Sequence, residues 1–236
     1  MQLTKQAHAC VQLAKDGAVL VIDPGAFGGA ETLEGADAVL VTHEHFDHVE
    51  PDKLRAALAA NPGLRLWAPA VVASQFADFG DRARAVAHGD EFTAAGFAVH
   101  VYGEHHAVIH PDIPGVANVG FMVDGEIFHP GDSYTVPEDP VSTLLVPISG
   151  PWFSTREMID YVRAVAHGRR TRSTMPCSAP SGSRWPRCSP VSPPARTMRP
   201  TPVWSPEPPS TYSHRRRRMR RDWCGTKTLA APLFLV

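Results

Sequence analysis

The stretch Val39-Leu40-Val41-Thr42-His43-Glu44-His45-Phe46-Asp47-His48 constrains this chain more than any other. An apolar run of strand character stops, and four potential metal ligands follow within six residues, in the order His-x-His-x-Asp-His. Three imidazoles and a carboxylate packed this closely suit a borderline-soft divalent ion such as zinc. A strand that ends in a ligand loop is a sound way to present them, because the sheet fixes where the loop begins. The alternative is a polar, His-rich turn without an ion; the specific spacing and the buried-looking strand before it favour the ion.

The rest of the first 166 residues reads as alternating short strands and helices, which predicts a layered α/β protein. Leu3–Leu13 and Ala18–Ile22 are expected strands, joined at Lys15-Asp16-Gly17, since Asp-Gly between apolar runs is a hairpin signal. Asp23-Pro24-Gly25 ends the second. Glu50-Pro51-Asp52-Lys53 opens a helix through Ala60, with Pro in the first turn, where its missing N–H costs nothing. Leu64–Ala68 is a short strand, Pro69–Ala77 a second helix, Ala85–Ala87 a brief strand and Phe97–Tyr102 a longer one. Gly120–Val123 and Glu126–Phe128 form a hairpin around Asp124-Gly125 and run into His129-Pro130-Gly131-Asp132-Ser133. Ser142–Pro147 is a further buried strand. Ser154-Thr155-Arg156-Glu157 is a capping box, starting a helix with Met158, Ile159, Val162 and Val165 on its apolar face.

The His43–His48 loop resembles the signature of the metallo-β-lactamase-fold hydrolases, and further segments agree. His8-Ala9-Cys10-Val11 is similar to a segment near the N-terminus of the branch that includes L-ascorbate-6-phosphate lactonase. Gly103-Glu104-His105-His106-Ala107-Val108-Ile109-His110-Pro111-Asp112-Ile113-Pro114 resembles a run carried by one bacterial subgroup of these hydrolases. Gly131-Asp132 resembles the family's strand-end Gly-Asp. The resemblance implies an αββα sandwich in which His43, His45 and His106 hold one metal, Asp47 and His48 hold a second, and Asp132 bridges the two. It implies that Asp23 orients a ligand imidazole by accepting its far N–H. His105 falls at a variable position and reads as a bystander. His8 faces substrate or is a satisfied structural imidazole; His110 stabilises its loop or faces substrate; Trp152 walls the pocket or packs. Cys10 reads as a small core residue rather than a nucleophile.

After Ala166 the character changes. Residues 1–166 carry 9 Lys and Arg against 22 Asp and Glu, a net charge of −13; residues 167–236 carry 14 against 2, a net of +12. The second segment holds 12 of the 23 prolines and shows no apolar periodicity, a composition that cannot offset its own chain entropy by burial. The expected organisation is therefore a hydrolase domain over 1–166 and a Pro/Arg/Ser-rich tail over 167–236. The resemblance predicts in the tail a strand ending in His-Asp, which would complete the second metal. The chain reads Ser173-Thr174-Met175-Pro176-Cys177-Ser178 instead. Regrouping the implied codons by one base allows His-Asp-Ala-Leu-Leu there and Gly-Leu-Ala-Leu-Ala across Gly182–Pro186, so the expectation is a coding frame that slips near residues 166–170. On that expectation the closing Leu229–Val236 run is an exposed apolar end.

The functional expectation is a hydrolase that uses a metal-bound hydroxide on an ester, lactone or phosphoester, with Asp47 orienting the hydroxide. Zinc lowers the pKa of its water from about 15.7 to about 7. Zinc, one ion or two, is the expected cofactor, with Mn2+ or Fe2+ able to replace it. Loss of the last imidazole implies one metal bound better than two. The partner is a small molecule whose identity the motif does not give. Two rivals remain open: a nucleic-acid-binding protein acting through Arg215-Arg216-Arg217-Arg218, and an inactive metal-binding remnant. The acidic body argues against specific nucleic-acid binding. No apolar run approaches the roughly 18 residues of a membrane span, and residues 1–22 lack a signal-peptide core, so a cytoplasmic location is the default. Four cysteines without Cys-x-x-Cys spacing suggest no disulfide framework, and oligomeric state is left open.

Overall fold

The computed structural model describes residues 1–171 and 233–235. Six strands form the first sheet in sequence order: β1 (Gln2–Lys5), β2 (Val11–Lys15), β3 (Ala18–Ile22), β4 (Ala38–Leu40), β5 (Arg65–Ala68) and β6 (Ala83–Ala85). β1 to β3 pair antiparallel, and β3 to β6 pair parallel. The second sheet contains β7 (Glu91–Ala94), β8 (Phe97–Tyr102), β9 (Gly120–Val123), β10 (Ile127–His129), β11 (Thr143–Val146) and β12 (Leu233–Leu235), in the spatial order β12-β11-β10-β9-β8-β7. Its β7–β10 half is antiparallel, and β10, β11 and β12 are parallel.

Side-chain alternation explains the layering. Along β3 and β4, Leu20, Ile22 and Leu40 face inward, against Phe97, Val99, Val101, Phe121 and Val123 of the second sheet. Their neighbours Val21, Val39 and Val41 point outward, onto Leu54 and Leu58 of α1 (Pro51–Ala60) and onto Phe76. A strand buried on both faces needs apolar residues at every position, which is why β3 and β4 read as continuous runs. On the far side, Met122, Phe128, Leu144 and Val146 pack against Tyr161 and Val165 of α3 (Thr155–Thr171). Together these layers form an αββα sandwich.

Several local expectations differ from the structure. The run Leu3–Leu13 is two paired strands, β1 and β2, turned at His8, whose φ is 50°. Only Ala70–Ala73 of the expected second helix is α-helical (α2); a 3-10 stretch over Ser74–Arg82 follows, broken at Phe76 and Gly80. Ser74 Oγ there donates to the Val71 carbonyl at 3.0 Å, a side-chain bond that competes with the regular helix. β7 has no counterpart in the sequence reading, because its turn to β8 is Ala95-Gly96, at φ 49° and 84°, without the usual Asn or Asp. Leu233–Leu235 is not a free apolar end: it pairs parallel with β11 and caps an edge that would otherwise be open. Among the described residues no helix is long and apolar enough to cross a membrane. The Ser173–Ser178 segment and Arg215–Arg218 lie outside the described residues.

Candidate metal centre

Four strand ends meet at one edge of the sandwich. β3 and β4 are parallel with Ile22 opposite Leu40, so Asp23 and Thr42 emerge side by side. β8 leads into the loop carrying His106, and β10 leads through Pro130-Gly131 to Asp132. Ligating atoms of His43, His45 and His106 lie within 4.8 Å of one another; so do those of His43, His48 and Asp132, and those of His8, Asp47 and His48. The structure thus gathers every residue that the sequence nominates as a ligand. His105 is turned away into solvent.

The outward nitrogens of these imidazoles decide the chemistry. His106 Nδ1 lies 2.6 Å from the Ala107 carbonyl, which can only accept, so Nδ1 carries the proton and Nε2 keeps a lone pair. His48 Nδ1 faces Asp23 Oδ2 at 2.8 Å and so carries a proton as well, which leaves Nε2 as the nitrogen that gives up its proton to a metal. Thr42 Oγ1 donates to Asp23 Oδ2 at 2.7 Å and therefore accepts from His43 Nδ1 at 3.0 Å. His43 Nε2 then presents its lone pair inward, where it meets His45 Nδ1 at 3.1 Å. The Nε2 atoms of His48 and His106 are both buried without a hydrogen-bond partner. They lie 3.2 and 3.5 Å from the two Asp132 oxygens, outside hydrogen-bonding geometry. Inward nitrogens gathered around a carboxylate need a cation among them, either a proton on His48 or a metal ion, and several imidazoles with one carboxylate are a donor set that fits a divalent metal.

The titration behaviour has the same cause. Burial pushes His43 well below its ordinary value, and the neighbouring His48 adds to this. Burial also lowers His45, with His106 contributing. Burial opposes a charge on His48 as well, but Asp23 and Asp132 outweigh it and raise its pKa to about 10. Burial opposes ionisation of Asp132, yet contacts with His106 and His48 hold it well below the usual carboxylate range. Without a metal the centre therefore keeps one positive charge as a proton on His48.

Asp23, with no exposed surface, fixes three groups: the Thr42 N–H at 2.7 Å, the Thr42 hydroxyl and His48. His8 comes in from the β1–β2 turn and meets Asp47 Oδ2 through Nε2 at 3.0 Å, while its ring lies edge-on to His48 at 5.5 Å. Trp152 is a positioning group as well as a packing one, since its Nε1 donates to Asp132 Oδ2 at 3.0 Å. His110 lines a 280 Å³ cavity that opens onto His45 and His106. Cys10 is buried, and burial raises its thiol to about 12, as befits a core residue.

Two supporting residues escaped the sequence reading. Buried Asn118 accepts from the Asp132 N–H at 3.0 Å and donates to the Pro130 carbonyl at 2.9 Å, which fixes the β10 loop. Its only signal is a lone polar residue entering an apolar strand. Gly25 lies so close to the metal loop that a Cβ there would meet the Asp47 carbonyl oxygen at 1.9 Å. That approach is invisible until β3 and β4 are paired.

Fold and site define a β-lactamase-type metal-binding protein. The chain matches the Beta-lactamase superfamily domain over residues 2–167 and belongs to that family. Among its relatives, Protein Rv0786c of Mycobacterium tuberculosis is 40% identical over 176 residues, covering 72% of this chain and 81% of that protein. A UPF0173 metal-dependent hydrolase of Aeropyrum pernix is 33% identical over 82 residues, 33% of each chain. In fold, the chain is similar to Igni18, a metallo hydrolase of Ignicoccus hospitalis, with a TM-score of 0.53 at 19% identity over 69% of this chain and 77% of that one.

Proposed function

We propose that this protein is a metal-dependent hydrolase of an ester, lactone or phosphoester. One observation carries the reading: three imidazoles have their outward nitrogens locked as donors, so the Nε2 atoms of His43, His48 and His106 all turn inward, where ligating atoms of His45 and Asp132 also gather. His43, His45 and His106 would hold one ion, Asp47 and His48 a second, and Asp132 would lie between them. A bound zinc, or Mn2+ or Fe2+ in its place, supplies Lewis acidity and brings water close to ionisation at neutral pH.

The chain's own residues do the rest. Asp47, held through Oδ2 by His8, orients the attacking water and receives its proton. That proton then goes to the leaving oxygen as the scissile bond to carbon or phosphorus breaks. Trp152 and Asn118 hold Asp132 in place. Asp23 keeps the His48 lone pair directed inward. No Ser or Cys nucleophile is required.

The reading extends to the tail. A frame slip near residues 166–170 replaces the strand that would deliver one more imidazole, so a single ion is held more tightly than a second. Sequencing the gene across codons 160–190 tests the slip: an insertion or deletion of one base relative to close relatives supports it, and an unbroken frame contradicts it. The hydrolytic reading is tested by screening esters, lactones and phosphodiesters with added zinc or manganese. Metal-dependent turnover that His106→Ala abolishes supports it; turnover indifferent to metal and to that substitution contradicts it.

A further inference from the structure

Resting on the metal-centre reading, we infer that the substrate carries an uncharged, apolar arm, as in a medium-chain ester or lactone, and that this arm lies in the cavity beside His45 and His106. The cavity, 280 Å³ in volume, opens directly onto those two imidazoles; its other walls come from the 107–116 loop, including Val108, Ile109, Ile113 and Val116. Whatever lies there reaches the reacting centre without a spacer.

Exposure of apolar groups follows the same geography. Eight large hydrophobic side chains are exposed among the described residues. Two of them, Val108 at 73% and Ile113 at 50%, stand on this loop. Phe46, at 65%, belongs to the metal loop itself and stacks edge-on against exposed Phe27 at 5.7 Å; Phe27 in turn touches His8 at 5.1 Å. Half of the exposed large hydrophobics thus lie on ligand loops or against them. Apolar surface concentrated around a polar centre marks a place where a ligand covers it.

Charge argues for the same occupant. Residues 85–155, which form the cavity loop, the β10 loop and the Trp152 loop, contain no Lys or Arg and nine Asp or Glu. Phosphate and carboxylate groups are bound by Arg and Lys forks or ammonium groups, and these loops supply none. On the other side, Lys53 Nζ is held by the Gly25 and Gly28 carbonyls at 2.7 and 2.8 Å, and Lys5 Nζ by the Gln6 and His8 carbonyls. An anionic arm, such as that of a phosphorylated sugar lactone, would meet a mostly apolar wall, with His110 as its one polar side chain beyond the ligand imidazoles, and acidic loops around it. A neutral alkyl arm meets contacts that it can bury.

Calorimetry with three amides that share one head group tests the inference: N-butylacetamide, N-octylacetamide and N-acetyl-8-aminooctanoate. Binding to zinc-bound protein is expected to tighten at least about tenfold from butyl to octyl, as burial of four methylenes demands even when incomplete. The terminal carboxylate should weaken binding at least tenfold relative to the octyl amide. Ile113→Asp, and separately Val108→Asp, both at exposed loop positions, should each weaken the octyl amide about tenfold and leave zinc affinity unchanged. Equal affinity for butyl and octyl, preference for the carboxylate, or indifference to both substitutions would overturn the inference. The same series on metal-free protein separates the two readings. Failure to bind zinc sinks the metal centre, and loss of chain-length and charge discrimination sinks the apolar arm.

Discussion

Asp23 is the residue through which the first sheet controls the metal centre. Replacing it with Asn leaves the Thr42 N–H, the Thr42 hydroxyl and His48 Nδ1 competing for one neutral oxygen in a fully buried place. Asp23→Asn should cost about 2–4 kcal/mol in urea unfolding of the metal-free protein. It should also weaken zinc binding about 10–100-fold. His48 supplies a pH prediction. Its folded pKa, about 10, lies above its ordinary 6.5, so its stabilising charge is fully present below 6.5 and is lost as pH rises through 10. The metal-free protein should therefore lose thermal stability steadily between pH 7 and 9.5. Bound zinc, which displaces that proton, should flatten the slope; a flat profile without metal would contradict the pairing. At this scale the sequence was most legible where ligands are close in the chain, as in His43–His48. Asn118 and the Trp152–Asp132 bond were not legible, because both depend on loops from different strands meeting, which no local pattern encodes.

Strands β3 and β4 and helix α1 were readable because each carries a local code: continuous apolar runs for doubly buried strands, and Glu50-Pro51 for the helix start. Glu50 indeed caps the helix, accepting from the Lys53 N–H at 2.6 Å. β7 was unreadable because its turn lacks a marker residue, and the Ser74–Arg82 stretch because Ser74 and Gly80 act against an otherwise helical composition. The close pairing of β3 with the metal loop gives the sharpest test between elements. Gly25→Ala puts a methyl group 1.9 Å from the Asp47 carbonyl oxygen, so either the loop or β3 must shift. The expected result is a loss of roughly 1–3 kcal/mol in stability together with at least tenfold weaker zinc binding. Unchanged zinc affinity would show that the loop position does not set the centre.

Across the whole molecule, the acidic body and the basic tail differ by 25 units of charge, yet among the described residues every group that meets at the metal centre lies between His8 and Trp152. A chain ending at Thr171 should therefore hold zinc as tightly as the full chain. It should aggregate more readily, because removing Leu233–Leu235 uncovers the β11 edge. Any polynucleotide retention by the full chain should vanish with the truncation, as gel shifts at varied salt would show. The central claim is that the inward lone pairs form a metal site, and zinc stoichiometry tests it most directly. Metal analysis after exhaustive dialysis, comparing the full chain with His106→Ala and His105→Ala, sets an inward imidazole against its solvent-facing neighbour. The account predicts one tightly held zinc in the full chain and in His105→Ala, and loss of that zinc in His106→Ala. Equal zinc in all three proteins, or none in the unaltered chain, would contradict it.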